Sequence, residues 1–194
     1  MFYLDLELLI PEEVFAPGGR GCFHPLIPGE VRTTDRVLDM GTGCGIGAIL
    51  AASRSSDVLA VDINPRAVEA AESNAKLNGV AGRIQFKLSD IFDAVEGSFD
   101  LIIFDPPYRW FKARNLLELS HADENYAALR RFMSQVHLHL RPGGRILLKF
   151  ATSGDIDYLH HLIQAAQLRK QVLASHQVVT DALTVTYYVF RLTL

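Results

Sequence analysis

Apolar residues gather in short, nearly continuous runs, separated by segments that carry apolar residues at helical spacing. Five runs are predicted as strands: 35–40, 57–62, 83–88, 99–104 and 145–150. Runs of this length bounded by turn residues are typical of strands buried on both faces of a parallel sheet. Four segments are predicted as helices: 46–54, 65–77, 123–140 and 155–168. The alternation predicts a parallel sheet with right-handed crossovers, closed by a strand pair at 171–179 and 184–192.

The first thirty residues have a different pattern. Alternation predicts a strand over Phe2–Leu8, whereas Pro11–Pro28 is rich in proline and glycine. We expect residues 1–30 to form a lid or substrate-binding segment that carries Phe15 and Phe23, ahead of one larger domain at 31–194.

Composition favours one compact domain and argues against a membrane or secreted protein. The chain has 194 residues, of which 49% are hydrophobic, enough for one sizeable core. It has no run of eighteen apolar residues and no basic region before an apolar N-terminal run, so we expect neither a transmembrane helix nor a secretory signal. Its two cysteines form no disulfide framework, which favours a reducing, cytoplasmic location. The seven histidines form no metal set, so no metal site is predicted.

The first predicted strand ends in a glycine loop that we interpret as a binding loop. Gly41, Gly43 and Gly45 permit left-handed backbone and close approach to a ligand, and Thr42 lies between them. The carboxylate of Asp39 at the strand end would repel a pyrophosphate but suits a ligand that carries an ammonium and a sulfonium. An ordinary strand–loop–helix turn is the alternative.

The next two strand ends supply further polar groups. Asp62 ends the second strand, where a carboxylate can accept hydrogen bonds from ribose hydroxyls. Ser89 and Asp90 follow the third strand, where Asp90 could accept a hydrogen bond from an adenine amine while Ile63 or Ile91 packs on the ring. Asp62 could instead be a solvated strand end, and Asp90 could cap the short turn that follows it.

Asp105-Pro106-Pro107-Tyr108, directly after the run 99–104, is the most informative motif. The Asp105 carboxylate and the Pro106 carbonyl can accept the two N–H bonds of a planar NH2 group, which prepares its nitrogen for methylation. The prolines stiffen the loop, and Tyr108 offers a face for a planar substrate. A plain Pro-Pro turn is the alternative.

Together, Asp39–Gly45, Asp62, Ser89-Asp90 and Asp105–Tyr108 resemble the motifs of class I S-adenosylmethionine-dependent methyltransferases. Within that superfamily they resemble the amino-methylating branch, which includes HemK-like protein glutamine methyltransferases and adenine-N6 methyltransferases. The resemblance covers about Val31 to Leu194. HemK-like proteins usually carry Asn at the first motif position, whereas Asp, as in this chain, is commoner among the nucleic-acid enzymes.

The resemblance implies a Rossmann-like α/β fold. Its seven-stranded, mostly parallel sheet has an antiparallel last strand and helices on both faces. It implies S-adenosylmethionine as cofactor and N-methylation of a protein glutamine or an RNA adenine. Two alternatives stay open: a methyltransferase of a small metabolite, and a silent cofactor-binding subunit. The short N-terminal segment also leaves room for recognition shared with a partner chain or in a homodimer.

Charge bears on the partner. The net charge is −3 and the basic residues are scattered, so strong binding of duplex DNA is not expected. The segment Arg109–Arg114 mixes cations with aromatics, and we predict that Trp110 and Pro107 contact the substrate. Alternatively, Trp110 and Phe111 pack beneath the loop.

Overall fold

The structure is a computed structural model that describes residues 1–17, 21–180 and 183–194. Its strands are β1 Phe2–Tyr3, β2 Leu6–Glu7, β3 Arg36–Met40, β4 Asp57–Asp62, β5 Ile84–Leu88, β6 Phe99–Phe104, β7 Leu140–Ala151, β8 Arg169–Val179 and β9 Thr184–Thr193. Its α-helices are α1 Ile27–Glu30, α2 Ile46–Ala52, α3 Pro65–Leu77, α4 Leu116–Leu119, α5 Ala127–His139 and α6 Ile156–Ala165.

Seven strands form one sheet in the order β5-β4-β3-β6-β7-β9-β8. The pairs from β5 to β7 are parallel, and β9 runs antiparallel to both of its neighbours. The predicted fold class is therefore confirmed. The strand order reverses between β3 and β6, and such a switch opens a crevice at the carboxyl ends of the strands.

Side chains of the central strands alternate between two cores, which places helices on both faces of the sheet. Leu38 and Ile102 are fully buried in one core with α5 and α6. Val37 and Leu101 are fully buried in the other, with α2, α3 and apolar residues of the N-terminal segment. Burial on both faces explains why these strands have continuous apolar sequences.

Two predicted elements were wrong in detail. The strand expected at Phe2–Leu8 is a small antiparallel hairpin, β1–β2, because Leu4 and Asp5 turn the chain with positive φ. The helix expected from residue 123 begins only at Ala127, because Asn125 and Tyr126 have left-handed backbones. At that start, the backbone N–H groups of residues 128 and 129 donate to the buried Asp123 carboxylate, which thereby caps the helix.

The N-terminal segment is bound along α3 by asparagine side chains. The Asn74 amide exchanges two hydrogen bonds with the backbone of Leu9, of 2.8 and 2.9 Å. The Asn78 amide does the same with Glu7, and the Asn64 amide donates to the Glu13 carbonyl. Residues 7–13 are therefore anchored, and the lid proposed for residues 11–28 extends from this anchor. Residues 18–20 of that lid lie outside the described residues.

Candidate active site

A cavity of about 1020 Å³ lies at the carboxyl ends of the parallel strands. All of the predicted site residues line it except Gly45 and Trp110. The glycine loop, the Asp62 strand end and the Pro-Pro loop meet there because β4, β3 and β6 are neighbours in the sheet. Strand order therefore joins motifs that are far apart in sequence.

The glycines of the first loop have separate structural reasons. Gly41, Gly43 and Gly45 all have positive φ, between +56° and +89°. A Cβ on Gly43 would meet no atom within 4 Å, so its backbone faces open space in the cavity wall. A Cβ on Gly45 would lie 2.8 Å from the Ala71 Cα, so this glycine lets the start of α2 pack against α3. Gly45 thus contributes to the loop through helix packing and not by lining the cavity.

Asp39 is buried beneath the same loop. Its Oδ2 accepts hydrogen bonds from the Thr42 hydroxyl at 2.6 Å and from the Ala48 backbone N–H at 2.8 Å. Burial raises the pKa of Asp39 to about 6, although these two hydrogen bonds lower it. A Cβ on Gly47 would lie 2.6 Å from Asp39 Oδ1, so only glycine fits there. Asp39 therefore shapes the loop, and its carboxylate also borders the cavity.

Asp62 links the ends of β3 and β4. Its Oδ2 accepts from the Gly43 N–H at 2.8 Å, and its Oδ1 accepts from the Asn64 N–H at 2.9 Å. Burial raises the pKa of this carboxyl, and the backbone hydrogen bonds oppose the rise. Each carboxylate oxygen can accept more than one hydrogen bond, so Asp62 keeps capacity for hydroxyl donors in the cavity.

The third strand end is organised by Ser89 and Arg131. The Ser89 hydroxyl donates to the Ile91 carbonyl and accepts from the Ala94 N–H, which holds the turn that follows. Arg131 on α5 donates to Asp90 Oδ2 at 2.6 Å and also to Asp93. The Asp90 side chain therefore pairs with an arginine and does not cap the turn. The adenine role of Asp90 stays a prediction, with Oδ1 as its available acceptor.

The Pro-Pro loop follows β6 directly, and its acid is held by a lysine from the neighbouring strand. Lys149 Nζ on β7 donates to Asp105 Oδ2 at 2.7 Å. The two side chains are 19% and 28% exposed, respectively. Burial lowers the pKa of Lys149, but the charge and hydrogen bond of Asp105 more than compensate, so the pKa lies above its ordinary value.

Tyr108 is fastened through its backbone. The Tyr126 hydroxyl donates to the Tyr108 carbonyl at 3.1 Å and accepts from the Asp155 N–H at 2.7 Å. The Tyr108 ring packs on Phe150 at 5.4 Å between centroids. Burial raises the pKa of Tyr108 to about 12, and the neighbouring Asp105 carboxylate adds to the rise. The phenol therefore stays protonated beside the acid.

The N-terminal segment forms one wall of the cavity. Phe23 is 2% exposed and belongs to the core, while Phe15 is largely exposed and meets the His121 ring edge-on at 5.4 Å. His24 Nδ1 lies 3.3 Å from the Tyr3 hydroxyl, and burial lowers the pKa of His24 to about 4. The prediction that this segment closes over a ligand stays open.

Trp110 lies outside the cavity. It is 69% exposed, and Phe111 is 44% exposed, so the interpretation that both pack beneath the loop was wrong. A substrate contact by Trp110 stays a prediction. Pro106 is buried, and Pro107 is half-buried at the cavity wall.

Sequence reasoning missed Lys149, Arg131 and Tyr126. Lys149 had one visible signal, since it is the only charged residue within the apolar run 146–151. Arg131 and Tyr126 belong to a segment of helical spacing, and nothing in that spacing shows that their polar ends reach the strand loops. These contacts depend on tertiary packing.

The described residues contain neither a metal-site cluster nor a membrane-spanning helix. No cluster of three or more His, Cys, Asp or Glu side chains there has the arrangement of a metal site. Among the same residues, no helix combines the length and apolar character needed to cross a membrane.

Known proteins resemble this chain in sequence and in fold. The family model for the methyltransferase small domain matches residues 26–180. The release factor glutamine methyltransferase of Cereibacter sphaeroides is 36% identical over 132 residues, which are 60% of this chain and 47% of that protein. A Methanocaldococcus jannaschii protein, provisionally named a protein N5-glutamine methyltransferase, is 33% identical over 165 residues, or 81% of this chain and 82% of that protein.

A solved structure supports the fold alone. The YcgJ protein from Bacillus subtilis aligns with a TM-score of 0.68 at 16% identity, covering 87% of this chain and 96% of that one. The 47% coverage given above means that the chain spans about half the length of the C. sphaeroides relative. It spans most of the length of the M. jannaschii relative and of YcgJ.

Proposed function

Because the chain belongs to the methyltransferase small domain family, we propose that it methylates the side-chain amide nitrogen of a glutamine in a protein, with S-adenosylmethionine as methyl donor. One observation carries the proposal. The Asp105-Pro106-Pro107-Tyr108 loop borders the same cavity as the glycine loop and Asp62. The names of two relatives support glutamine as the acceptor over RNA adenine or a metabolite.

The residues present fit an adenosyl amino acid. Gly43 offers open backbone, Asp62 has free acceptor capacity for ribose hydroxyls, and Ile63 and Ile91 border the cavity as apolar surfaces for a base. The acidic groups Asp39 and Asp62 at the loop suit a cationic ligand and disfavour a pyrophosphate. When bound, S-adenosylmethionine supplies an electrophilic methyl group.

The Pro-Pro loop acts on the acceptor. An amide nitrogen is a poor nucleophile because its lone pair is delocalised into the carbonyl. Asp105 Oδ1 and the Pro106 carbonyl accept its two N–H bonds and favour a pyramidal nitrogen with an exposed lone pair. Tyr126 and Lys149 hold this loop in place, so the acceptors are preorganised before the substrate arrives.

The proposal is tested by methyl transfer from isotope-labelled S-adenosylmethionine to a purified release factor, with ribosomal RNA and a metabolite extract as parallel acceptors. We expect N5-methylglutamine in the protein, identified by mass spectrometry of its peptides. Label found only in RNA or in a small molecule would overturn the choice of glutamine.

An Asp105→Ala variant tests the role of this carboxylate in methyl transfer. Loss of one preorganised acceptor should lower kcat about 10²–10³-fold while the affinity for S-adenosylhomocysteine changes little. Transfer at the parent rate by this variant would contradict the role given to Asp105. The two free cysteines, Cys22 and Cys44, fit the cytoplasmic location that we include in this proposal.

A further inference from the structure

Lys149 is unusual for its position. It lies near the carboxyl end of β7, and its neighbours in sequence, Leu148 and Phe150, are fully buried. A cation in such a strand loses hydration, and this loss is offset only by a close partner of opposite charge. That partner is Asp105, at 2.7 Å. The ion pair therefore joins β7 to the loop proposed to hold the acceptor.

We infer that Lys149 is a positioning residue that holds Oδ2 of Asp105 and cancels its charge, so that Oδ1 faces a neutral acceptor group as a fixed hydrogen-bond acceptor. This inference rests on the proposed function, because it assigns Lys149 a part in that same site. A neutral Asp105–Lys149 pair presents to the acceptor what a side-chain amide oxygen would present, a partial negative charge without a net charge.

The need for cancellation follows from the other acids. Asp39 and Asp62 border the same cavity; burial raises the pKa of Asp39, and the charges of Asp62 and Asp105 add to that rise. A third unpaired carboxylate would take up a proton or attract an ammonium group. Either result would spoil recognition of an amide, since a protonated acid donates where an acceptor is required.

The other titratable groups around the pair do not replace Asp105. They come from the N-terminal segment, the Pro-Pro loop and β9: Tyr3, Cys22, His24, Tyr108 and Tyr187. None is a carboxylate. Burial puts the pKa of His24 at about 4 and that of Tyr108 at about 12, both outside the neutral range. Asp105 is thus the anion that faces Lys149.

The test needs no acceptor substrate. Sinefungin carries a C–NH3⁺ group where the donor carries its sulfonium methyl, so its ammonium probes charge at the transfer point. S-adenosylhomocysteine, whose thioether sulfur is neutral, is the reference. Calorimetry gives the ratio of the two affinities at pH 6 and pH 8. For Lys149→Met we expect the preference for sinefungin at pH 8 to rise about tenfold, because the Asp105 carboxylate is uncovered.

The pH dependence separates positioning from structure. In Lys149→Met the preference should fall severalfold from pH 8 to pH 6, since an uncovered Asp105 takes up a proton. In the double variant Asp105→Asn/Lys149→Met the fall in preference between pH 8 and pH 6 should be smaller. The part that remains is the change caused by titration of Asp39, which all variants share. Lys149→Arg should behave like the parent, and so should Lys170→Met, which removes an exposed strand lysine outside the cavity.

The outcomes are distinct. Failure of the parent protein to bind either compound would overturn the proposed function itself. Normal binding of S-adenosylhomocysteine by Lys149→Met, with an unchanged sinefungin preference and the parent's pH profile, would overturn only the role of Lys149. If thermal unfolding shows that Lys149→Met is not folded, Lys149→Gln is measured in its place, with the same expected results.

Discussion

Single carboxylates in this molecule shape the glycine loop and are also proposed to bind the ligand. Asp62 accepts the Gly43 N–H, which closes the glycine loop, and the same carboxylate borders the cavity. Asp39 likewise binds Thr42 and the first turn of α2. The loop therefore takes its shape from the side chains that are proposed to bind the cofactor, so removing one acid affects both.

Asp62→Ala should weaken binding of S-adenosylhomocysteine by about 1–3 kcal/mol, because ribose hydroxyls lose a charged acceptor and the loop loses a hydrogen bond. Calorimetry measures the change. Asp57→Ala is the matched control, since Asp57 begins the same strand and its side chain is 64% exposed. Equal affinity in the Asp62 variant and its control would remove Asp62 from the site.

At the scale of elements, the start of α2 lies in close contact with α3. Gly45 precedes α2 with φ +89°, and a Cβ there would lie within 3 Å of both Cα and Cβ of Ala71 on α3. Backbone atoms cannot move aside as the end of a long side chain can. The helix pair therefore depends on the missing side chain.

Gly45→Ala should lower the free energy of unfolding by about 1–3 kcal/mol from overpacking, in addition to its backbone strain. Gly43→Ala is the comparison, because Gly43 also has positive φ but has open space around it. Denaturant unfolding of both variants separates the two effects. Equal losses would show that the contact with Ala71 costs nothing.

At the scale of the whole molecule, the cavity walls hold groups whose pKa values shift in opposite directions. Burial lowers the pKa of His24 from 6.5 to about 4, so its contribution to stability is present above pH 6.5 and is lost as the pH falls towards 4. Burial raises the pKa of Asp39 from 3.8 to about 6, so its contribution is present below pH 3.8 and is lost as the pH rises through 6.

His24→Gln removes the first of these contributions. Between pH 4.5 and pH 7.5 the free energy of unfolding of the parent should rise by about 1–3 kcal/mol more than that of the variant. Urea unfolding at the two pH values measures it. If the free energies of unfolding of parent and variant differ by the same amount at both pH values, His24 is not buried as a neutral ring.

Much of the architecture was predictable because its signals are local. The buried strands are continuous apolar runs, and Asn64-Pro65 and Asn78-Gly79 mark the ends of α3. The hairpin at the N-terminus was not predictable, since a positive φ at Leu4 goes against local preference and Leu4-Asp5 lacks the glycine that usually marks a two-residue turn. The Lys149–Asp105 contact likewise depends on two strands becoming neighbours, which no local pattern encodes.

The asparagines within α3 and at its two ends also limit when the N-terminal segment can be anchored during synthesis. Residues 7–13 leave the ribosome well before Asn64, Asn74 and Asn78, which lie 51 to 71 residues later than their partners. The segment therefore cannot be anchored until α3 has been synthesised. The cavity wall that contains His24 cannot be completed before then either. Asp105 and Lys149 emerge later still. A nascent chain that ends before β7 lacks the Asp105–Lys149 pair, so the proposed acceptor site is completed only after the glycine loop, Asp62 and β6 have been synthesised.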